Sequence, residues 1–353
     1  MMKELFVGST TRYAGKTMVA LGILDYWKNR GLNIGYFKPI GKNFTLKDDV
    51  KVEEDVLLIR ERFSLTDDLS VMCPLYLDYQ DYISLALGKL GDAADRIYGG
   101  YEQVKQGKDA LLVGGGADMH DGFSVGVSNI DFVIKYDMPL VLVDAPVFGD
   151  VHLDSIIAVR DRCGERLTGV VFNHLSPESI GFTEKYYVPY LEKRGIDVWG
   201  LIPEEPMLHA LSVGEMKAIL GGRLICCEDR KEEPVENFMV GAMNVEAALK
   251  HFRSQANKAV ITGGDRADIQ MAALETPTKL LVLTGNMYPD SAVISAAQEK
   301  GVPILVVADD TMTTVEKMDA AVRNVGVRGK RVADSITVFQ RHIDTGYLDK
   351  LGG

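Results

Sequence analysis

The 353-residue sequence predicts an α/β protein: a parallel sheet with helices on both faces, followed by a smaller α/β domain. Three observations lead there. Short apolar runs alternate with helix-period segments through the first two-thirds of the chain. A Gly-rich turn joins the first apolar run directly to an amphipathic segment. Near residues 211–222 the spacing shortens and a second series of strand–helix units begins.

Leu5-Phe6-Val7 marks the first strand, expected over 4–7. After the turn Gly8-Ser9-Thr10-Thr11-Arg12-Tyr13-Ala14-Gly15-Lys16-Thr17, the residues Ala20, Ile23, Leu24 and Trp27 recur at i, i+3, i+4 and i+7. That period predicts a helix over 17–29, with Lys28 and Arg30 near its end and Gly31 as a cap. Further strands are expected at 33–37, 110–113, 140–143, 169–172 and 198–202. Helices are expected at 52–63, 85–106, 154–162 and 183–193, the last kinked by Pro189. The second series has strands at 223–227, 258–262, 280–284 and 304–308, with helices at 245–253, 291–299 and 313–324. The run 228–234 is a charged, solvated loop. This organisation predicts domains over 1–212 and 213–328 and a C-terminal tail over 329–353 that forms a short helix or packs on the first domain.

A net charge of −11 and a pI near 5.1 argue against nucleic acid or an anionic membrane as the main partner. Cys73, Cys163, Cys226 and Cys227 show no C-x-x-C spacing and read as reduced core residues. Met1-Met2-Lys3-Glu4 leads straight into the first strand, so no signal peptide is expected, and no apolar run approaches the ~18 residues of a membrane span. The expected location is the cytoplasm.

A Gly-rich turn between a strand and a helix aims backbone N–H groups and the positive end of the helix dipole at one point, where a phosphate fits. Lys16 can reach terminal phosphates and the Thr17 hydroxyl can hold Mg²⁺. The usual spacing places a glycine five residues before Gly15; here that residue is Thr10, and the nearest earlier glycine is Gly8, so the loop is long. A plain turn with a solvated lysine is the competing reading.

Lys38-Pro39 ends the second strand, on the same rim as Lys16. Asp55 reads either as a first-turn acid favoured by the dipole or as a Mg²⁺ carboxylate. Gly114-Gly115-Gly116 permits close backbone approach at a strand end, and Asp118, His120 and Asp121 after it form a polar loop or a metal site. Asp144 ends the next strand, where a Walker-B-type acid would sit. Asn173 could read a nucleobase edge or form a turn. In the second domain Thr262-Gly263-Gly264-Asp265-Arg266 joins a strand to a helix, and small residues beside an arginine suit an anion or an ordinary turn. No nucleophile–His–Asp set stands out among the six histidines, and His152 reads equally as surface, core or catalytic.

Together these motifs resemble a known pairing. The long loop Gly8–Thr17, Tyr36-Phe37-Lys38-Pro39, Asp55-Val-Leu, Gly169-Val-Val-Phe-Asn173 and Gly200-Leu-Ile-Pro203 are similar to the dethiobiotin synthetase group of P-loop proteins. Val240-Gly-Ala-Met243 and Ile261-Thr-Gly-Gly-Asp-Arg266 resemble the DRTGG domain. The combination is similar to the N-terminal part of long-form phosphate acetyltransferases. The resemblance implies ATP and Mg²⁺ as cofactors. It assigns Gly8, Thr10, Gly15, Lys16, Thr17, Asn173 and Pro203 to the nucleotide and Thr17 and Asp55 to the metal. Lys16 and Lys38 are assigned to the chemistry, and Thr262, Gly263, Gly264, Asp265 and Arg266 to a second-domain ligand, a small anionic metabolite or a nucleotide. It implies a homo-oligomer and a protein partner in acetyl-phosphate and acetyl-CoA metabolism.

Two departures bear on activity. The family carries Glu-Gly at the end of the third strand, with the Glu on Mg²⁺; here Gly114 stands in its place. No acetyltransferase domain follows in the sequence, so transacetylase activity is not expected. An ATP-binding regulatory protein is the first expectation and an ATP-dependent ligase or carboxylase the second. A structural protein with a vestigial nucleotide site is the third.

Overall fold

The computed structural model describes residues 2–47, 50–146, 152–323, 326–329 and 331–351. The chain divides into two compact units, Met1–Glu204 with Val327–Gly353, and Glu205–Gly326. The second unit is thus an insertion: the chain leaves the first unit after Glu204 and returns to it at Val327.

The first unit is built on β1 (Lys3–Ser9), β2 (Ile34–Phe37), β3 (Phe44–Lys47), β4 (Val50–Glu53), β5 (Ala110–Gly114), β6 (Leu140–Asp144), β7 (Leu167–Leu175) and β8 (Asp197–Pro203). Six of these form one parallel sheet in the order β2-β5-β1-β6-β7-β8. Every residue of β2, β5 and β6 is buried, as expected of parallel strands covered on both faces. The helix α1 (Lys16–Asn29) follows β1, and its buried face includes Ala20, Ile23, Leu24 and Trp27, the residues that gave the period. The C-terminal helix Arg331–His342 packs on α1, where the missing side chain of Gly22 makes room for the Phe339 ring. Lys3 Nζ fixes the segment beyond it by donating to the carbonyls of Leu348, Asp349 and Leu351 at 3.1, 3.2 and 2.6 Å.

Three local expectations change. The helix expected at 52–63 is the strand β4 followed by α2 (Glu54–Phe63), with Glu53 as its N-cap. The helix expected at 85–106 is two helices, Tyr79–Ala86 and Ala93–Lys105. Gly88 and Gly91, both at positive φ, break it. The helix expected at 183–193 begins earlier, at Pro177, and relieves Pro189 through a π-helical turn, Thr183–Tyr187.

In the second unit, β9 (Leu211–Ser212) pairs with β11 (Pro234–Val235). The main sheet contains β10 (Arg223–Cys226), β12 (Asn237–Val240), β13 (Lys258–Gly263), β14 (Thr278–Thr284) and β15 (Ile304–Val306), in the order β10-β15-β14-β13-β12. Only β10 runs antiparallel. Apolar cores flank the sheet, one holding Phe252, Ile269 and Leu283, the other Met216, Ile261 and Met318. Cys73, Cys163 and Cys226 are buried and all four cysteines are free. No helix among the described residues is long and apolar enough to cross a membrane.

Candidate nucleotide and metal site

The loop after β1 has the features its composition predicts. Gly15, at φ +97°, precedes α1 and offers no capping side chain, so the first-turn N–H groups of α1 are left for a ligand. A side chain at 15 would also run into the Asn173 amide. Asn173 Nδ2 donates to Ala14 O at 2.9 Å, so its amide group secures the loop. Lys16 Nζ donates to Ser9 Oγ at 2.7 Å and to Ala117 O at 3.2 Å. Burial, and then Lys38, brings the Lys16 ammonium down to about 8.

On the β2 side of the loop lies a cluster of charges. Thr17 Oγ1 donates to Asp55 Oδ1 at 2.8 Å. Lys38 Nζ donates to Asp55 Oδ2 at 2.5 Å and to Glu53 Oε1, and Glu53 Oε2 accepts from Val56 N at 3.0 Å. Lys38 and Glu53 are both buried. Burial disfavours the Lys38 charge, but Asp55 and Glu53 outweigh it and hold the ammonium well above its usual range. One ammonium thus serves two carboxylates. Burial raises Asp55 too, yet Lys38, Thr17 and Lys16 more than compensate and it stays below the aspartate range. Glu53, more deeply enclosed, is pushed up by burial to about 7 against the pull of Lys38. Asp55 keeps its charge and Glu53 is the member that takes up a proton first.

Adjacent Thr17 hydroxyl and ionised Asp55 suit Mg²⁺, which takes one or two carboxylates and completes its shell with phosphate oxygens and water. These two residues would hold the ion, and its role when bound would be to neutralise phosphate charge. Gly114 cannot add a ligand, because a side chain there would run into the Tyr36 hydroxyl. Asp118 turns instead to the His120 N–H, at 2.7 Å, and Asp121 accepts from Lys42 and from Ala117 N. Both brace the loop after β5, in keeping with the polar-loop reading.

Other assigned residues lie elsewhere. Gly8 lies inside β1, opposite Leu142, and its missing side chain accommodates Met119, so its role is packing before the loop begins. Thr10 donates its hydroxyl to Asp144. Pro203 ends β8, in register with Leu175. In the second unit, Thr262 Oγ1 donates to Gly241 O at 3.0 Å, and the buried Gln270 amide donates to the Gly263 and Gly264 carbonyls at 3.0 and 3.1 Å. Arg266 forms a two-point pair with Asp268 at 3.0 and 3.1 Å and donates to Met243 O at 3.2 Å. The arginine there is engaged within its own turn.

Sequence reasoning passed over Glu53, Tyr36 and Ser9. Glu53 follows a short β-branched alternation that hides it as a surface acid. Tyr36 and Ser9 become relevant only through strand neighbours distant in the chain.

A family model described as an AAA domain matches residues 3–212, more than half of the chain. The chain belongs to the AAA domain family. A DRTGG domain model matches residues 215–321 of this AAA-domain protein. A phosphate acetyltransferase of Synechocystis sp. is 25% identical over 367 residues, covering 98% of this chain and 51% of that protein. The ATP-dependent dethiobiotin synthetase BioD of Bacillus thuringiensis is 25% identical over 206 residues, covering 57% of this chain and 84% of that protein. The chain spans about half the length of the phosphate acetyltransferases it matches. A solved structure of the CBS and DRTGG domains of the regulatory region of Clostridium perfringens pyrophosphatase covers 44% of this chain and 73% of its own, at 18% identity and a TM-score of 0.30. The AAA-domain unit is therefore of the dethiobiotin synthetase-like P-loop type, joined to a DRTGG domain, and related over its whole length to phosphate acetyltransferases.

Proposed function

We propose that the protein binds Mg-ATP in its first unit as a regulatory or sensor module, with a small anionic ligand governing it through the second. The arrangement of Lys16 carries this reading: a half-buried ammonium at the mouth of a helix N-terminus whose N–H groups have no cap. Thr17 and Asp55 would take the Mg²⁺. The Lys38 triad favours a sensor over a synthetase-type ligase. A lysine that donates to both Glu53 and Asp55 has one proton left for a substrate, and no acid stands at 114. In the second unit a small anion would bind at 262–266 by displacing Asp268 from Arg266, which lowers the apparent affinity of that site. The cytoplasmic location and self-association belong to the same proposal, as does a partner in acetyl-phosphate and acetyl-CoA metabolism, the last supported by the phosphate acetyltransferase relatives.

Equilibrium titration of Mg-ATP tests the first step. Lys16→Ala should weaken binding by about 100-fold, the loss of a charge-assisted contact to phosphate. Equal binding by wild type and variant would sink the nucleotide reading.

A further inference from the structure

We propose that Asp144 and His152 form a catalytic pair at the phosphate loop, with His152 the general base for water attacking the terminal phosphoryl group of the bound nucleotide. The proposal rests on the Mg-ATP reading above. It starts from register: β6 lies beside β1, with Val143 opposite Ser9 and Thr10 N donating to Val143 O at 3.3 Å. Asp144, the next residue of β6, therefore stands at the entrance of the loop. Its carboxylate is fully buried. Oδ1 receives the Thr10 hydroxyl and, at 2.8 Å, His152 Nδ1. His152 directly precedes the helix Leu153–Cys163, and its side chain is 26% exposed.

The chemistry follows from these contacts. Facing a carboxylate, Nδ1 must carry the imidazole proton, which leaves Nε2 as the basic lone pair. Asp144 fixes that tautomer and stabilises the imidazolium once Nε2 is protonated. The second carboxylate oxygen, Oδ2, is buried and has no hydrogen-bond partner among the described residues. Bracing Thr10 against His152 needs a single acceptor, which a neutral side chain could supply without enclosing a charge. A buried carboxylate with one oxygen unpartnered is costly, and a transient cation beside it is the state that recovers that cost. In the step itself, the water oxygen bonds to the terminal phosphorus and the bond from that phosphorus to the bridging oxygen breaks. ADP leaves with the electron pair, and the water proton passes to His152 Nε2 and then to solvent. Lys16 meets the phosphate charge. Asp144 is the positioning residue.

Phosphate release and ATP binding, measured on the full chain with Mg-ATP, test the pair separately from the nucleotide reading. His152→Ala should lower kcat by about 100-fold, within the span usual for a general base, while Kd stays within about twofold. Free imidazole should restore about tenfold of the lost rate, a recovery that a merely structural histidine would not show. Asp144→Asn should lower kcat without response to imidazole; should that variant not fold, the His152→Ala rescue decides alone. Wild-type turnover in His152→Ala, no imidazole rescue, or a wild type that binds ATP and releases no phosphate would each overturn the pair and leave ATP binding standing. A wild type that binds no ATP overturns both.

Discussion

The first unit and the second each place a strand, two or more small residues and a helix around a cation, yet the two junctions differ in what the cation does. At Lys16 the helix N-terminus is uncapped and the ammonium is drawn down to about 8 by burial and by Lys38. At Arg266 the guanidinium is closed on Asp268 two residues away, and the carbonyls of Gly263 and Gly264 are occupied by Gln270. A composition that reads alike in sequence leaves an uncapped helix start in one unit and a self-satisfied turn in the other. The discriminating fact is where the nearest carboxylate lies. Asp268 sits in the first turn of the helix that the arginine directly precedes, whereas Asp55 lies beside Thr17 and is held by Lys38.

The largest effect expected from this difference is on stability. Lys38→Ala leaves Glu53 enclosed without its ion partner, and breaking a buried pair in this way costs about 3–5 kcal/mol. Urea unfolding should show that loss, while Arg266→Ala in the second unit should leave the unfolding midpoint where it is, since its pair is exposed. Equal sensitivity of the two variants would erase the distinction between a buried charge cluster and a surface turn. Gly114→Glu comes next. Restoring the family's acid should not restore a metal ligand, because the Tyr36 hydroxyl occupies the space; overpacking should instead cost about 1–3 kcal/mol. A variant of wild-type stability with faster phosphate release would show that Tyr36 yields.

The first junction also carries a pH signature. In the free protein Lys16 titrates at about 8, and bound phosphate favours the charged form. Mg-ATP affinity should be level below pH 8 and fall by about tenfold per unit above it, as binding comes to require proton uptake. Calorimetry in buffers of different ionisation enthalpy checks this directly. A flat profile to pH 9 would place Lys16 outside the phosphate contact.

How much was legible in sequence follows the range of the interactions. The runs at 110–113 and 140–143 are buried on both faces and declare themselves by composition alone. The hairpin β3–β4 does not: Phe44, Leu46 and Val50 are exposed and Val52 alone among its apolar residues is buried, which makes no stripe to read. The helix expected over 85–106 failed at Gly88 and Gly91, whose left-handed backbone is invisible to an apolar count. At the site, Lys16 and Thr17 lie within one local motif. Lys38–Glu53, fifteen residues apart, and Thr10–Asp144, 134 apart, depend on which strands become neighbours. That order, β2-β5-β1-β6, is a property of the folded sheet, so in sequence Glu53 draws no role of its own, and Asp144, placed at a Walker-B-type position, is not linked to His152.

The smallest effect tests whether the second junction is closed only by its own carboxylate. Asp268→Asn keeps the side-chain shape but removes the charge that occupies the Arg266 fork. With the fork released, inorganic phosphate should bind the second unit more tightly, by less than about tenfold, the value of one exposed charge-assisted contact. Lys16→Ala in the same background removes the first site, so any phosphate binding that remains reports on Arg266 alone. Residual binding that appears with Asp268→Asn and disappears with Arg266→Ala would make Asp268 a built-in competitor for the ligand. No gain would mean that Gln270 and the Gly263 and Gly264 carbonyls, rather than Asp268, keep the turn shut.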